Sequence, residues 1–268
     1  METTIETRTS GIWQLSSTLL VRGGACVLVD PGYFPRELAA FAERVAGLSL
    51  EALVYTHGHW DHVLGHLTFA KAPVVCSEVL AGWIAADAIE ARGFLEEARR
   101  FDSQWYVERP APYRWPAGVR GLRDGERLSP GAIGLQALLL PGHSVDGLGL
   151  LVEDAATLLA GDYLSPCEIP FVDDAAAYRG TLERLLGLLE HEIEAVVPGH
   201  GPRLGREEAR RIAAEDLAYL ERLLEAGAKG DLEGARAMAL PRAAGVEGMR
   251  GHHLENLVKV GLGEPGIS

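Results

Sequence analysis

Tyr55-Thr56-His57-Gly58-His59-Trp60-Asp61-His62 places three imidazoles and a carboxylate within six residues, directly after a short apolar run. Imidazole nitrogen and carboxylate oxygen are the ligand types that Zn²⁺ and similar divalent metals take, and a coordination position left open then activates water. Two such residues in one loop are commonplace, whereas four argue for a catalytic metal site.

Outward from this stretch, apolar strand-like runs alternate with helical patterns. Toward the N-terminus, Ile12 to Val21 and Ala25 to Asp30 read as a hairpin turned at Gly23-Gly24. Pro35 opens a helix to Ala46, with Leu38, Phe41, Ala42 and Val45 on one face. Leu53 to Tyr55 is a strand that delivers His57, Asp61 stands where a helix N-cap would, and that helix can run to about Ala70 before the strand Val74 to Ser77. The pattern is helical again from Glu78 to about Arg100. Phe101, Trp105, Tyr106, Tyr113 and Trp115 then crowd beside Pro110, Pro112 and Pro116, an aromatic insertion over about 92–117 that reads as a lid or pocket wall made of loop or broken helix. Arg99, Arg100, Arg109 and Arg114, interleaved with those aromatics, raise a base-stacking platform as an alternative.

Residues 118–163 return to short strands with turns at Asp124-Gly125 and Pro130-Gly131, followed by a helix from Ala175 to Leu189 and a strand from Ala195 to Val197. Each half of the chain therefore runs strands, then helix, which predicts two sheets packed face to face with helices outside. Beyond Pro202 the pattern is all-helical: Glu207 to Ala226 with a stripe of Ala213, Leu217, Leu220 and Leu224, then Leu232 to Leu240, then Met249 to Val260. Residues 1–205 are read as the main domain, and 206–268 as a helical appendage too small to hold a core alone.

The formal net charge of −13 argues against a grip on nucleic acid or anionic membrane and favours a small-molecule substrate. Cys26, Cys76 and Cys167 lack paired spacing, no apolar run approaches spanning length, and Met1 to Ser10 lacks a secretory pattern, so the expected compartment is the cytoplasm. Homo-oligomerisation is left open.

Five apolar runs end in a polar residue able to bind or orient a metal ligand: Asp30, His57, His143, Asp162 and His200. Strand ends of one sheet system open along a common edge, so residues far apart in sequence can converge there. Pro141-Gly142-His143 and Pro198-Gly199-His200 repeat one motif, in which glycine permits a sharp turn before the ligand.

The segment His57 to His62 matches the His-x-His-x-Asp-His hallmark of the metallo-β-lactamase superfamily, and the resemblance extends in order from about residue 12 to 204. It implies a four-layer αββα sandwich with the site on one edge of the paired sheets. It further implies a first metal on His57, His59 and His143, a second on Asp61, His62 and His200, Asp162 between them, and Asp30 orienting the ligand loop through hydrogen bonds. The cofactor expected is two divalent ions, zinc first, with iron or manganese as alternatives. Two such ions about 3.5–4 Å apart activate water for attack on a carbonyl. Asp61 would orient that water, and Tyr163, next to Asp162, could aid an oxyanion or leaving group.

No cysteine occupies a ligand position, unlike the antibiotic-hydrolysing members that use one in the second site. The ligand set resembles instead the thioesterase branch, glyoxalase II included, and the lactonase branch. Ser144-Val145-Asp146-Gly147 lacks the Thr-x-Gly common in glyoxalase II. The expected activity is hydrolysis of a small ester, thioester or lactone. Its rivals are a mononuclear iron sulfur dioxygenase, an RNA-processing nuclease and a non-catalytic metal-binding scaffold. His66, Cys167, His252, His253 and Asn256 are chemistry-capable residues whose roles stay open.

Overall fold

The computed structural model describes residues 2–242 and 248–263, so residues 243–247 and 264–268 of the expected appendage lie outside the described residues. Six strands form the first sheet in chain order: β1 (Thr4–Thr9), β2 (Ser16–Arg22), β3 (Ala25–Val29), β4 (Ser49–Val54), β5 (Val74–Ser77) and β6 (Arg120–Leu122). Six more form the second: β7 (Arg127–Leu128), β8 (Leu135–Leu139), β9 (Leu148–Val152), β10 (Thr157–Leu159), β11 (Ala195–Val197) and β12 (Leu204–Gly205). The helices are α1 (Pro35–Val45), α2 (Trp60–Val63), α3 (Glu78–Ala85), α4 (Ile89–Trp105), α5 (Ala175–His191), α6 (Arg206–Lys229), α7 (Leu232–Arg236) and α8 (Met249–Lys259).

The layers follow from the period of two along each strand. Leu20, Val27, Val29 and Val54 of the first sheet meet Leu135, Ala137, Leu150, Leu159 and Val197 of the second in a core between the sheets. Their sequence neighbours Leu19, Cys26, Leu28 and Leu53 face the other way, onto Leu38 and Phe41 of α1 and Leu80 of α3. Leu138, Leu151, Leu158 and Val196 likewise face Leu182, Leu185 and Leu189 of α5 and Ile212 of α6. Strands covered on both faces read as continuous apolar runs, and the result is the αββα sandwich. Among the described residues no helix is long and apolar enough to cross a membrane.

One strand is added and three local expectations are corrected. Thr4–Thr9 forms an edge strand antiparallel to β2, although its TIETRT sequence is too polar to announce one. The N-cap of α2 is His59, with Asp61 inside the first turn, and the helix gives way to a 3-10 turn over Leu64–Leu67. There Gly65 sits so close to Pro31 that a Cβ would overlap its ring. The helix expected over 78–100 breaks at Asp87, whose φ is +47°, and resumes as α4 through Trp105. Phe101 and Trp105 therefore stand on a helix, and the irregular proline-rich stretch starts only after it. On α6 the inward face carries Ile212, Asp216, Tyr219 and Leu223, rotated from the expected stripe, of which Leu217 and Leu224 are only partly buried.

Candidate metal centre

Five strands of the sandwich each hand one polar side chain to the same edge. Asp30 directly follows β3, His57 follows β4, His143 follows β8, Asp162 follows β10 and His200 follows β11. The loops are short and tied down: Ser16 N–H donates to the Gly199 carbonyl at 2.6 Å, and Gly199 N–H to the Gly161 carbonyl at 2.6 Å. The expected site residues come together in two groups, His57, His59, His143 and Asp162, and Asp61, His62 and His200, each with its donor atoms within 4.8 Å of one another.

In the first group the Nδ1 atom of His59 lies 3.0 Å from Nε2 of His57 and 3.0 Å from Nε2 of His143. In the second, Oδ2 of Asp61 lies 3.6 Å from Nε2 of His62 and 3.4 Å from Nε2 of His200. Asp162 spans the two. Its Oδ2 is 3.2 Å from His143 Nε2 and 3.6 Å from His57 Nε2, while its Oδ1 is 3.2 Å from His62 Nε2 and 3.5 Å from His200 Nε2. Buried His62 Nε2 and Asp162 Oδ1 have no hydrogen-bond partner. Unsatisfied buried polar atoms are costly, and ring nitrogens crowded at hydrogen-bond distance lack protons to share among them all. Divalent metal binding would relieve both features, and a nitrogen and oxygen donor set without thiolate fits zinc, iron or manganese.

The electrostatics differ between the groups. Burial, then the neighbouring His62, pushes His57 well below the usual histidine range, and burial with His143 beside it pulls His59 down to about 4. Both are neutral and offer lone pairs. Burial also opposes charge on His62 and His200, but Asp162, Asp61 and Asp30 hold the former well above the ordinary value, and Asp162 with Glu168 raises the latter to about 10. The second group thus lies in a field of carboxylates that calls for positive charge.

The residues behind the ligands fix their orientation. Asp30 accepts from Thr56 N–H at 2.9 Å and from Thr56 Oγ1 at 2.6 Å, and its Oδ2 lies 2.9 Å from Nδ1 of His62. These contacts suit the orienting role expected of Asp30, with Thr56 as an added participant. Asp30→Asn keeps the size but replaces one acceptor with a donor, so metal affinity is expected to fall about 10–100-fold, checked by chelator competition. His200 Nδ1 donates to the Trp13 carbonyl at 2.5 Å. Trp13 and Gln14 both have φ of +50°, a left-handed pair in non-glycine residues that aims their carbonyls at His200 and at Gly201 N–H. The two Pro-Gly-His glycines do different jobs: a Cβ on Gly142 would overlap the Tyr178 backbone of α5, and one on Gly199 would overlap Oδ1 of Asp162.

Two carboxylates were not singled out from the sequence. Asp146 is buried and accepts from Gly58 N–H at 2.8 Å, stapling the loop after β8 to the histidine loop. Burial pushes its carboxyl above the usual range. Glu168 is also buried, with Oε1 3.8 Å from His200 Nδ1, and burial lifts it to about 7 although His200 works in the opposite direction. The spacing from Asp146 to His143 was a legible hint; nothing local marks Glu168.

Tyr163 requires correction. Its hydroxyl is buried, donates to the Pro141 carbonyl at 2.7 Å and accepts from His143 N–H at 3.1 Å. Both functions are committed to the turn that carries His143, so it positions that histidine and does not reach an oxyanion. Tyr163→Phe is expected to cost about 1–3 kcal/mol of stability from the stranded His143 N–H. The matching loss in kcat/KM should stay below the roughly 10²–10³-fold that removal of an oxyanion donor brings, so thermal melts and kinetics together separate the roles.

His66 is buried away from the cluster, and burial with Arg114 nearby lowers its pKa. Cys167 is half-buried, its thiol pushed up by burial. His253 bonds to the Tyr219 hydroxyl at 2.8 Å and the Ala235 carbonyl at 2.9 Å. Asn256 accepts from Val172 N–H at 2.9 Å and donates to the Pro170 carbonyl at 2.7 Å, pinning α8 to the loop after Glu168. His252 and Asn256 of that group line the cleft, and the His252 ring has its centroid 4.1 Å from that of Phe171.

The model of the metallo-beta-lactamase superfamily matches residues 11–200. The lactamase-like protein vrtG of Penicillium aethiopicum is 30% identical over 197 residues, covering 71% of this chain and 53% of its own. The human acyl-coenzyme A thioesterase MBLAC2 is 29% identical over 179 residues, covering 62% of this chain and 61% of its own. The chain thus spans a little over half the length of these curated relatives. Among solved structures, TTHA1623 in a di-iron-bound form is 30% identical with a TM-score of 0.58, covering 77% of this chain and 98% of that one. The metallo-beta-lactamase family protein TTHA1429 from Thermus thermophilus is 23% identical with a TM-score of 0.66 over 97% of this chain and 94% of that one. With the family model spanning β2 to β11 and every residue of the two His/Asp groups, the chain belongs to the metallo-β-lactamase superfamily.

Proposed function

We propose that the chain is a dinuclear metal-dependent hydrolase of small esters, thioesters or lactones. The observation that carries this reading is Asp162, whose two carboxylate oxygens face one donor group each. The mononuclear iron sulfur dioxygenase, the rival reading, would keep the same residues and fill only the first group, so metal content and activity separate the two. The thioesterase names of curated relatives, MBLAC2 of Homo sapiens and pkgB of Emericella nidulans, support acyl transfer to water.

When bound there, divalent ions would lower the proton affinity of water and offset charge developing on a carbonyl oxygen. His57 and His59 present neutral nitrogens beside Nε2 of His143, and Asp162 sets the separation of the two groups. Asp61 lines the cleft, so its carboxylate can accept a hydrogen bond from the attacking water and orient a lone pair toward the substrate. Trp60, beside it, borders the same cleft and excludes bulk water from that side.

The expected result is turnover on a panel of thioesters and lactones that a chelator abolishes and added zinc, manganese or iron restores. Oxygen uptake with a persulfide substrate, and no hydrolysis by the metal-loaded protein, would support the sulfur dioxygenase reading instead. The nuclease reading is disfavoured because Arg99 and Arg109 bond to Glu96 and Asp102, and none of Arg99, Arg100, Arg109 or Arg114 lines the cleft.

A further inference from the structure

The cleft over the two donor groups has a volume of about 920 Å³ and lies between α4 and α8. Glu90, Phe94 and Glu97 face it from α4, and Met249, His252 and Glu255 from α8, in each case at the three- or four-residue spacing of one helix face. Gly58 allows this approach, since a Cβ there would overlap the ring of Phe94. The apolar lining is aromatic. Trp60 stacks on Phe101 with centroids 4.2 Å apart, Trp13 meets Trp60 edge-on at 5.7 Å, and Trp83 also borders the cleft.

The charge of the rim is one-sided. Lys259 is the one lysine or arginine side chain lining the cleft among the described residues, and it is paired with Asp173 at 2.6 Å. Glu97 has Arg100 at 3.7 Å behind it and Glu255 has His252 at 3.1 Å, whereas no salt bridge to Glu90 forms among the described residues. Buried Glu168 adds a further carboxyl on the floor. At the rim, beyond the positive charge that bound metal ions would add at the floor, carboxylates beside low-dielectric aromatic walls repel polyanions and gather cations.

Resting on the hydrolase reading above, we propose that the substrate is an ester or thioester with an apolar or aromatic acyl group and a leaving group free of negative charge, cationic leaving groups being favoured over neutral ones. Carriers with phosphate groups, such as coenzyme A, are disfavoured, which separates this chain from what the names of its thioesterase relatives suggest.

The test is a matched series in which one benzoyl group is carried as its thiocholine, N-acetylcysteamine and coenzyme A thioesters, cationic, neutral and polyanionic in turn, on the metal-loaded full chain. At low ionic strength kcat/KM should fall in that order, the first exceeding the last by at least about tenfold, with the gap closing as salt is added. In Glu90→Gln/Glu255→Gln the gap should shrink at least about threefold relative to the neutral ester, whereas a general structural loss would lower all three together. Equal rates, or a preference for the coenzyme A ester, overturn the proposal and leave the hydrolase reading standing. If none of the three is cleaved, the hydrolase reading fails only when the wider panel of thioesters and lactones is untouched as well, and titration of tryptophan fluorescence with the same esters decides the charge preference, equal affinities overturning it.

Discussion

Asp162→Asn is expected to lower kcat/KM by about 10³-fold or more, the scale on which removal of a charge-stabilising group acts, and to reduce the metal content below two ions per chain. The amide has the shape of the carboxylate but only one acceptor oxygen. Whichever way it turns, an N–H₂ group must face either His57 and His143 or His62 and His200, where Oδ2 and Oδ1 now lie 3.2 Å from the nearest imidazole nitrogens. One donor group thereby gains a hydrogen-bond donor where it needs a lone pair. The substitution also removes negative charge from a site holding four imidazoles within 3.6 Å of that side chain. Elemental analysis and kinetics on the purified variant check this, and two ions retained with activity within tenfold of the wild type would refute the bridging role.

The largest effect on stability is expected from Gly142→Ala. Gly142 has φ of +130°, a conformation that side chains with a Cβ rarely adopt, and its Cα faces the Tyr178 N and Cα in the first turn of α5. Backbone on both sides leaves no flexible group to yield. The Gly142 carbonyl also accepts from Asp173 N–H at 2.8 Å and Asp174 N–H at 3.0 Å, so the turn is held against α5 from two directions. Overpacking and backbone strain combined should cost about 3 kcal/mol or more. At roughly 2–4 °C per kcal/mol for a chain of this size, the melting temperature would fall by about 6–12 °C. Because His143 is the next residue, metal affinity should drop in the same variant. A melt within about 2 °C of the wild type, a shift worth no more than about 1 kcal/mol, would show that α5 can give way.

These two positions show why much of the site was readable in the sequence. Asp30, His57, His143, Asp162 and His200 are each the first polar ligand type after an apolar run, and strand ends on a shared edge converge by construction. The layers were legible because Leu19 and Leu20, or Leu158 and Leu159, fill opposite faces of a covered strand. What the sequence hid depends on contacts between distant segments. Glu168 reaches His200 because its loop is held by the Arg242 guanidinium, which donates to the Glu168 carbonyl from 74 residues away. Tyr163 could point in or out of a loop, and only the Pro141 carbonyl decides it. The inward face of α6 carries Asp216 and Tyr219, which look like surface residues until Arg242 pairs with one, and His253 and Asn256 bond to the other. Polar groups satisfied by remote partners defeat a reading based on periodicity.

Two ions held by one carboxylate in a hydrolytic enzyme are the central claim, and anomalous diffraction from crystals of protein that hydrolyses a thioester tests it most directly. Two peaks are predicted, one among His57, His59 and His143 and one among Asp61, His62 and His200, with an oxygen of Asp162 toward each. A single peak confined to the first group, in protein with undiminished hydrolysis, would contradict it.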